Sequence, residues 1–525
     1  MEANVQSNQT KRKSAILKIA LFATGLSGIV AEYILSTLAT YFLGDSILQW
    51  TLVVSFMLFA MGLGSHLSQY FKGRLLETFI IIEFTLSILV SFSAIFVYTV
   101  HAYSEYNGIF IYGLAILVGM MIGLEIPIVT RLNQEYQSLR VNIASVMEQD
   151  YFGSLLGGLF FAFVALPYLG MTYTPFILGT VNFTVAVLLY FRLKNLVQTR
   201  WQFRLNFMMG FVFLAITVGS IYAKPIIVYG EQKKYKDKVI YEYQSRYQKL
   251  VITQWKNHYW LFINGNQQLS TLDEEMYHEP LVHPVMRLSP NPQKVLVLGG
   301  GDGAAVREIL KYPQVQNITL VDLDPAMTKL AKTHPVLLQL NDSSFYSPKL
   351  KIKNMDAFIY MDKTEEFYDV IIIDLPDPRT VELGKLFSKE FYQLCRRHLR
   401  PHGLIIAQSG SPYYSTRAFE CINQTMLAAG FGTTKIHNQI LTLGEWGWVI
   451  GSKDLSSEKL KKGLRNLNFK GINTKWINDE SMLLMTSFGK DKYFKSKIPD
   501  STVQVNTIHN PVLYRYYLQG NWELY

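Results

Sequence analysis

Cysteine and charge are both scarce in this chain. Only two cysteines, Cys395 and Cys421, occur in 525 residues. That is too few for a disulfide framework, their spacing matches no metal-ligand pattern, and both read as buried thiols. Charged residues make up 17% of the chain against 49% hydrophobic, and the mean hydropathy is +0.13. Such a balance excludes an ordinary soluble enzyme of this length. The scarcity is local. Residues 1–226 hold 13 basic and 10 acidic side chains, whereas residues 227–525 hold 37 and 30. Two solvents have shaped the sequence, and one of them is apolar. A net charge of +10 has the sign that nucleic acid attracts. Many of the basic residues cluster beside apolar runs, however, and no groove-reading motif accompanies them, so no nucleic-acid partner is expected.

What the first part has in abundance is long apolar runs, at about residues 15–43, 47–71, 77–100, 108–130, 150–170, 173–192 and 205–223. Each approaches the roughly 20 residues that a helix needs to cross about 30 Å of hydrocarbon. The runs predict a multi-pass α-helical membrane domain over residues 1–226, with about seven spans and the lipid bilayer of the cell membrane as its partner. Lys11, Arg12 and Lys13 precede the first run, Lys72 and Arg74 follow the second, Arg131 and Arg140 the fourth, and Arg192, Lys194, Arg200 and Arg204 the sixth. The positive-inside rule then puts the N-terminus in the cytoplasm. Seven crossings would leave the remainder outside, whereas Lys224, Lys233, Lys234, Lys236 and Lys238 argue for the cytoplasmic side, which is the expectation adopted. Glu32, Glu83, Glu125, Glu148 and Asp150 lie in or beside the runs. They are expected to face the bundle interior and bind a cation there, or else to hydrogen-bond neighbouring helices or sit in the interface. Gly62, Gly64, Gly153, Gly157 and Gly158 are expected to allow close helix packing.

The second part has a different rhythm. Short β-like segments and the turn Asn264-Gly265 predict a small β-rich subdomain at about residues 235–270, within a region 227–290 that includes a connector. Residues 291–525 then read as a Rossmann-like α/β domain with a C-terminal extension. A buried strand at 295–298 runs into Gly299-Gly300-Gly301-Asp302-Gly303 and a helix from Ala304; a second strand ends at Asp322, 23 residues after Gly299. Glycines let the backbone approach a nucleoside, and an acid at that point can accept hydrogen bonds from two ribose hydroxyls. A further apolar run, 370–373, delivers Asp374-Leu375-Pro376-Asp377 at the carboxyl edge. Two carboxylates three residues apart beside a nucleoside site suit a cationic substrate. Plainer readings exist: Asp377 capping the next helix, Tyr277 and His278 as packing residues, Gln248 as an ordinary strand residue. Trp446 and Trp448 read as core.

Taken together, Gly299 to Gly303, Val321-Asp322-Leu323-Asp324, Asn354-Met355-Asp356-Ala357-Phe358 and Asp374 to Pro378 resemble the spermidine synthase, or polyamine aminopropyltransferase, family. Upstream, Ser245-Arg246-Tyr247-Gln248, Gln268 and Tyr277-His278-Glu279 match in order and spacing. With the apolar region ahead, the chain looks like the membrane-bound branch. The resemblance implies a class I methyltransferase-like domain, decarboxylated S-adenosylmethionine as co-substrate, and neither a prosthetic group nor a metal. It also implies aminopropyl transfer to a polyamine such as putrescine, giving spermidine and methylthioadenosine. Gly299, Gly301 and Gly303 would line the donor, Asp322 hold its ribose, Asp356 with Ala357 its adenine, Gln248 the thioadenosine side and Asp302 the aminopropyl ammonium. Asp374 would activate the attacking amine, with Asp377, Gln268, Tyr277 and His278 lining the amine channel.

The chain departs from the family pattern in two places. Asp374-Leu375-Pro376-Asp377 stands where soluble members carry Asp-Ser-Ser-Asp, and Leu441-Thr442-Leu443-Gly444 where they carry Tyr-Pro-Ser-Gly. Two other readings fit the same residues: an S-adenosylmethionine-dependent methyltransferase, and a polyamine transporter or sensor with a regulatory nucleoside-binding domain. A homo-oligomer is an open expectation.

Overall fold

The computed structural model describes residues 2–44, 46–104, 106–134, 136, 138–489 and 503–522, with side chains from residue 13 onward. The side chains of Lys11 and Arg12 lie outside the described residues. The chain forms two compact units, Met1–Lys238 and Val239–Tyr525.

The first unit is helical: α1 (Glu2–Leu43), α2 (Ser46–Leu67), α3 (Leu75–Ser91), α4 (Ser93–Tyr103), α5 (Asn107–Asn133), α6 (Leu139–Phe160), α7 (Gly170–Leu193) and α8 (Thr199–Lys234). Among the described residues, five helical stretches are long and apolar enough to cross a bilayer, or six if α3 and α4, bent by 47°, count as one. The sequence predicts about seven. The difference lies in residues 139–196, where the fifth and sixth predicted spans merge into one stretch of 58 residues. A straight helix of that length would be about 87 Å long. Yet the Ser154 hydroxyl donates to the Gly25 carbonyl while Ser27, two residues further along α1, donates to Asn182. Residues 154 and 182 therefore stand at one level of α1. The chain doubles back between them at Gly170, whose φ of +63° is a conformation glycine adopts without strain and which ends the π-helical segment Phe161–Leu169 that continues α6. The merged stretch is two helices side by side.

Close packing falls where small residues allow it. A Cβ at Gly153 would stand 2.0 Å from the Phe22 carbonyl, and one at Gly64 would stand 2.1 Å from that of Met120, so α1 meets α6 and α2 meets α5 almost backbone to backbone. The exceptions are Gly158, where a Cβ would meet only the Tyr33 ring at an ordinary 3.6 Å, and Gly62, where it would meet nothing within 4 Å. Two helical steps turn Gly62 about 200° away from Gly64. The same geometry turns Glu148 outward. It is exposed, two residues from the buried Val146, while Glu83 and Glu125 face the interior and Glu32 and Asp150 are half-buried.

The second unit opens with a sheet in the order β1 (Lys238–Gln244), β2 (Lys249–Trp255), β3 (His258–Ile263), β4 (Asn266–Ser270). Asn264 and Gly265, at φ +50° and +78°, make the tight turn between β3 and β4. Helix α9 (Glu275–Leu288) follows. The larger sheet comprises β5 (Lys294–Gly299), β6 (Asn317–Asp322), β7 (Leu350–Asn354), β8 (Tyr368–Asp374), β9 (Leu399–Gln408), β10 (Gly432–Ile440) and β11 (Gly444–Ser452). Its order is β10-β11-β9-β8-β5-β6-β7. The run from β7 to β9 is parallel, but β11 and β10 are antiparallel, so the sheet is mixed. Val295 and Val297 enter one core and Leu296 and Leu298 the other. Burial on both faces is why these strands read as unbroken apolar runs. From β5 the chain goes first to β6 on one side and later to β8 on the other. That reversal opens a crevice at the carboxyl edge, where such sheets bind ligands.

Candidate active site

The crevice is built on backbone register. Gly299 at the end of β5 lies opposite Asp374 at the end of β8, and the Gly300 N–H donates to the Asp374 carbonyl at 3.0 Å. Gly299 has φ +83°, and a Cβ on it would stand 2.0 Å from that same carbonyl oxygen. Only glycine fits. Across the loop, a Cβ on Gly301 would lie 2.5 Å from Asp322 Oδ2, so the loop backbone rests against the acid that ends β6. Burial pushes the Asp322 carboxyl up to about 7, against a hydrogen bond from the Asp324 N–H at 2.9 Å. Gly303 closes the loop and enters α10 (Ala304–Leu310).

Asp374 meets α9. The Tyr277 hydroxyl donates to its Oδ1 at 2.7 Å, and the Tyr277 ring packs on Trp448 with centroids 5.4 Å apart. Burial raises the Asp374 carboxyl to about 6; the His278 imidazolium opposes the rise and Asp302 adds to it. His278 Nδ1 lies 2.8 Å from Glu274 Oε2, and its Nε2 lies 3.8 Å from Asp302 Oδ1. Burial alone would strip the proton from this ring, but the Glu274 hydrogen bond, with Asp302 and Asp374, holds it up to about 9. Arg307 grips Glu274 with two bonds, at 2.7 and 3.0 Å. His278, Asp302 and Asp374 approach one another as metal ligands would, with candidate atoms within 4.8 Å. Glu274 holds the ring through Nδ1, which leaves Nε2 as the nitrogen nearer the acid pair Asp302 and Asp374.

A cavity of about 80 Å³, open to solvent on one side, is lined by Gly300, Gly301, Asp302, Asp374 and Asp377, together with Gln268, Tyr277 and His278. The residues that the resemblance assigns to an amine channel thus line one cavity with Asp374. Gln268 donates to the backbone carbonyls of Asn266 and Gln267, at 3.2 and 3.3 Å. Asp302 Oδ1 accepts the Ala304 N–H at 2.8 Å. Gln248 stands outside this cavity. Its N–H donates to the Ser245 hydroxyl at 2.9 Å, which in turn donates to Asp324 Oδ2 at 2.6 Å, tying Gln248 to the loop beyond Asp322.

Asp356 begins the helix Ala357–Lys363, its Oδ1 accepting the N–H groups of Phe358 and Ile359 at 2.7 and 3.1 Å. Burial opposes its ionisation, but Lys385 at 3.0 Å from Oδ2 and these N–H groups hold its carboxyl below the usual range. Ala357 is buried behind it.

Asp377 does not cap the next helical turn; Thr380 does. Instead Asp377 Oδ2 accepts the Tyr517 hydroxyl at 2.5 Å, with Arg379 at 3.7 Å. Sequence reasoning missed Tyr517, which arrives on the helix Leu513–Leu518. It also missed Gln408, Leu443 and the full role of Trp446. Trp446 belongs to the core, but it also forms a wall of the cavity, and its indole N–H is buried without a partner among the described residues. Trp446 and Trp448 are i and i+2 on β11 and share a face, and that alternation was the available signal.

Residues 274–462 match the spermine/spermidine synthase domain. Polyamine aminopropyltransferase 2 of Aquifex aeolicus is 41% identical over 509 residues, covering 96% of this chain and 98% of the relative. The chain belongs to the polyamine aminopropyltransferase family. The aminopropyltransferase of Oceanobacillus iheyensis is 35% identical over 98% of this chain and 99% of its own length. These alignments of aminopropyltransferases run through the helical unit as well as the catalytic one. A solved spermidine synthase from Thermotoga maritima is 30% identical and covers 49% of this chain and 87% of its own, with a TM-score of 0.44. As an aminopropyltransferase the protein is a transferase, and membership of the family displaces the methyltransferase reading of the pocket.

Proposed function

We propose that the protein moves the aminopropyl group of decarboxylated S-adenosylmethionine onto putrescine, giving spermidine and methylthioadenosine. The observation that carries this reading is a half-buried Asp374, oriented by Tyr277, at the mouth of the glycine loop. An amine must lose a proton before its nitrogen attacks the carbon beside a sulfonium. As the N–C bond forms, the C–S bond breaks, its electron pair stays on sulfur, and methylthioadenosine leaves as a neutral thioether. The proton passes to Asp374, whose carboxyl at about 6 is ionised at neutral pH yet basic enough to receive it. Tyr277 occupies Oδ1, while Oδ2 is turned towards Gly300, 3.3 Å from where a Cβ would stand.

Asp322 holds the ribose, Asp356 with Ala357 the adenine, and Gln248 the thioadenosine side, along the backbone of Gly299, Gly301 and Gly303. Asp377, Gln268, Tyr277 and His278 line the acceptor channel. Asp302 receives the donor's ammonium and repels the carboxylate of ordinary S-adenosylmethionine. Asp302→Asn is therefore expected to reduce the preference for the decarboxylated donor about tenfold, read by mass spectrometry with both donors in competition. An unchanged preference would remove Asp302 from this role.

Tyr517 keeps Asp377 aimed at the acceptor. In Tyr517→Phe the KM for putrescine is expected to rise about tenfold while the KM for the donor stays put. Equal changes in both would make Tyr517 a merely structural residue.

The apolar lengths of the helices support insertion of the first unit in the cell membrane. The lysines at the end of α8 and the need for a cytosolic donor support a cytoplasmic catalytic unit. Green fluorescent protein fused after Tyr525 is expected to fluoresce; a dark, exported fusion would reverse the assignment.

A further inference from the structure

The helical unit buries acids to which anchoring assigns no task. Glu83 of α3 is 0% exposed, and neither of its carboxylate oxygens has a hydrogen-bond partner among the described residues. Glu125 of α5 is 2% exposed and has one oxygen in the same condition, while the Thr24 hydroxyl of α1 serves it. The two carboxylates lie within electrostatic reach of each other, and Glu125 within reach of Asp150 of α6.

A separate observation comes from α7. Asn182 is 1% exposed; its Oδ1 accepts from Ser27 and its Nδ2 has no acceptor among the described residues. The Ser87 hydroxyl donates to the Gly179 carbonyl, and Phe84 packs on Phe183 with centroids 5.9 Å apart. These contacts set Asn182 level with the stretch from Glu83 to Ser87. Ser27 lies about one turn beyond Thr24 on α1. Five helices thus bring polar groups to one level of an otherwise apolar interior. Among the described residues, no lysine or arginine pairs with Glu83 or Glu125.

Unpaired carboxylate oxygens in such surroundings are costly. The free oxygens of Glu83 and Glu125 are acceptors without donors, the set that a cation needs, and Asn182 adds its Oδ1 once its amide turns over so that Nδ2 donates to the Ser27 hydroxyl and that hydroxyl to the Thr24 carbonyl. We propose that Glu83 and Glu125, with Thr24, Asp150 and Asn182 beside them, form a binding site for a monovalent cationic group, either an alkali ion or the ammonium end of an amine. The site stands apart from the catalytic assignments and does not depend on them.

The test uses the full-length protein in detergent, melted in choline chloride and then with choline replaced by sodium, potassium or putrescine at equal ionic strength. A rise of about 5 °C at saturation is expected in at least one arm, and Glu83→Gln and Glu125→Gln should each abolish it. Sodium or potassium responding identifies an alkali ion. Putrescine alone responding, in the part that Glu83→Gln removes, identifies an amine. Turnover by Glu83→Gln at saturating substrates should equal that of the unaltered protein, which separates this site from the catalytic one. Identical responses in all three proteins would overturn the proposal. Should the variants fail to fold, equilibrium dialysis of the unaltered protein against radioactive sodium, potassium or putrescine decides. No cation retained beyond the amine bound at the catalytic site would overturn it as well.

Discussion

Asp374→Asn is expected to lower kcat by about 10²- to 10⁴-fold, the range for losing a positioned general base. The amide keeps the size of the carboxyl and an oxygen to accept the Tyr277 hydroxyl, so donor binding should survive. The pH profile makes the result specific. The Asp374 carboxyl is raised by burial to about 6 and must be ionised to take the amine's proton. In the unaltered enzyme kcat therefore falls as pH drops through about 6 and levels off above it. The variant's residual rate should lack that limb. Methylthioadenosine release followed by mass spectrometry on either side of pH 6 measures both. A limb that persists in Asp374→Asn would place the base elsewhere.

Gly299→Ala is expected to destabilise the protein by about 4 kcal/mol, combining left-handed backbone strain with a forced local shift. The alanine would sit at φ +83° with its methyl 2.0 Å from the Asp374 carbonyl oxygen. Relief requires parting β5 from β8 and breaking the Gly300 N–H bond to that oxygen. Any protein that still folds should bind the donor poorly, because the loop and Asp374 move together. Thermal unfolding of the full chain, with Gly62→Ala as control, is the measurement; Gly62 meets nothing within 4 Å of its missing methyl. Two variants of equal stability would show that the loop tolerates a side chain.

The parts legible in the sequence were those whose signal is local. Strands β5, β6, β8 and β9 read as apolar runs because they are buried between two cores, and the acids that end β6 and β8 follow directly. The glycine loop was visible because its sterics act on adjacent residues. Tyr517 was not, since only the folded chain brings it to Asp377, 140 positions away. Nor was the cap made by Asp356, whose assignment to adenine hid a simpler local duty. The directions of Glu148, Gly62 and Gly158 were not legible because membership of an apolar run does not tell which side of the helix faces its neighbours. The reversal at Gly170 depends on contacts of both flanking helices with α1, which periodicity does not carry.

The hydrogen bond from the Gly300 N–H to the Asp374 carbonyl has a consequence for how this catalyst can diversify. The glycine loop proposed to cradle the donor and the Asp374 proposed to take the proton are spaced by main-chain pairing, which side-chain replacement leaves in place. The acceptor end is walled by interchangeable side chains, among them Leu443, Trp446 and Gln268. Altering those walls to admit longer or bulkier amines leaves the reacting distance as the backbone sets it, so acceptor scope can drift or be redesigned while the bond-making geometry stays constant.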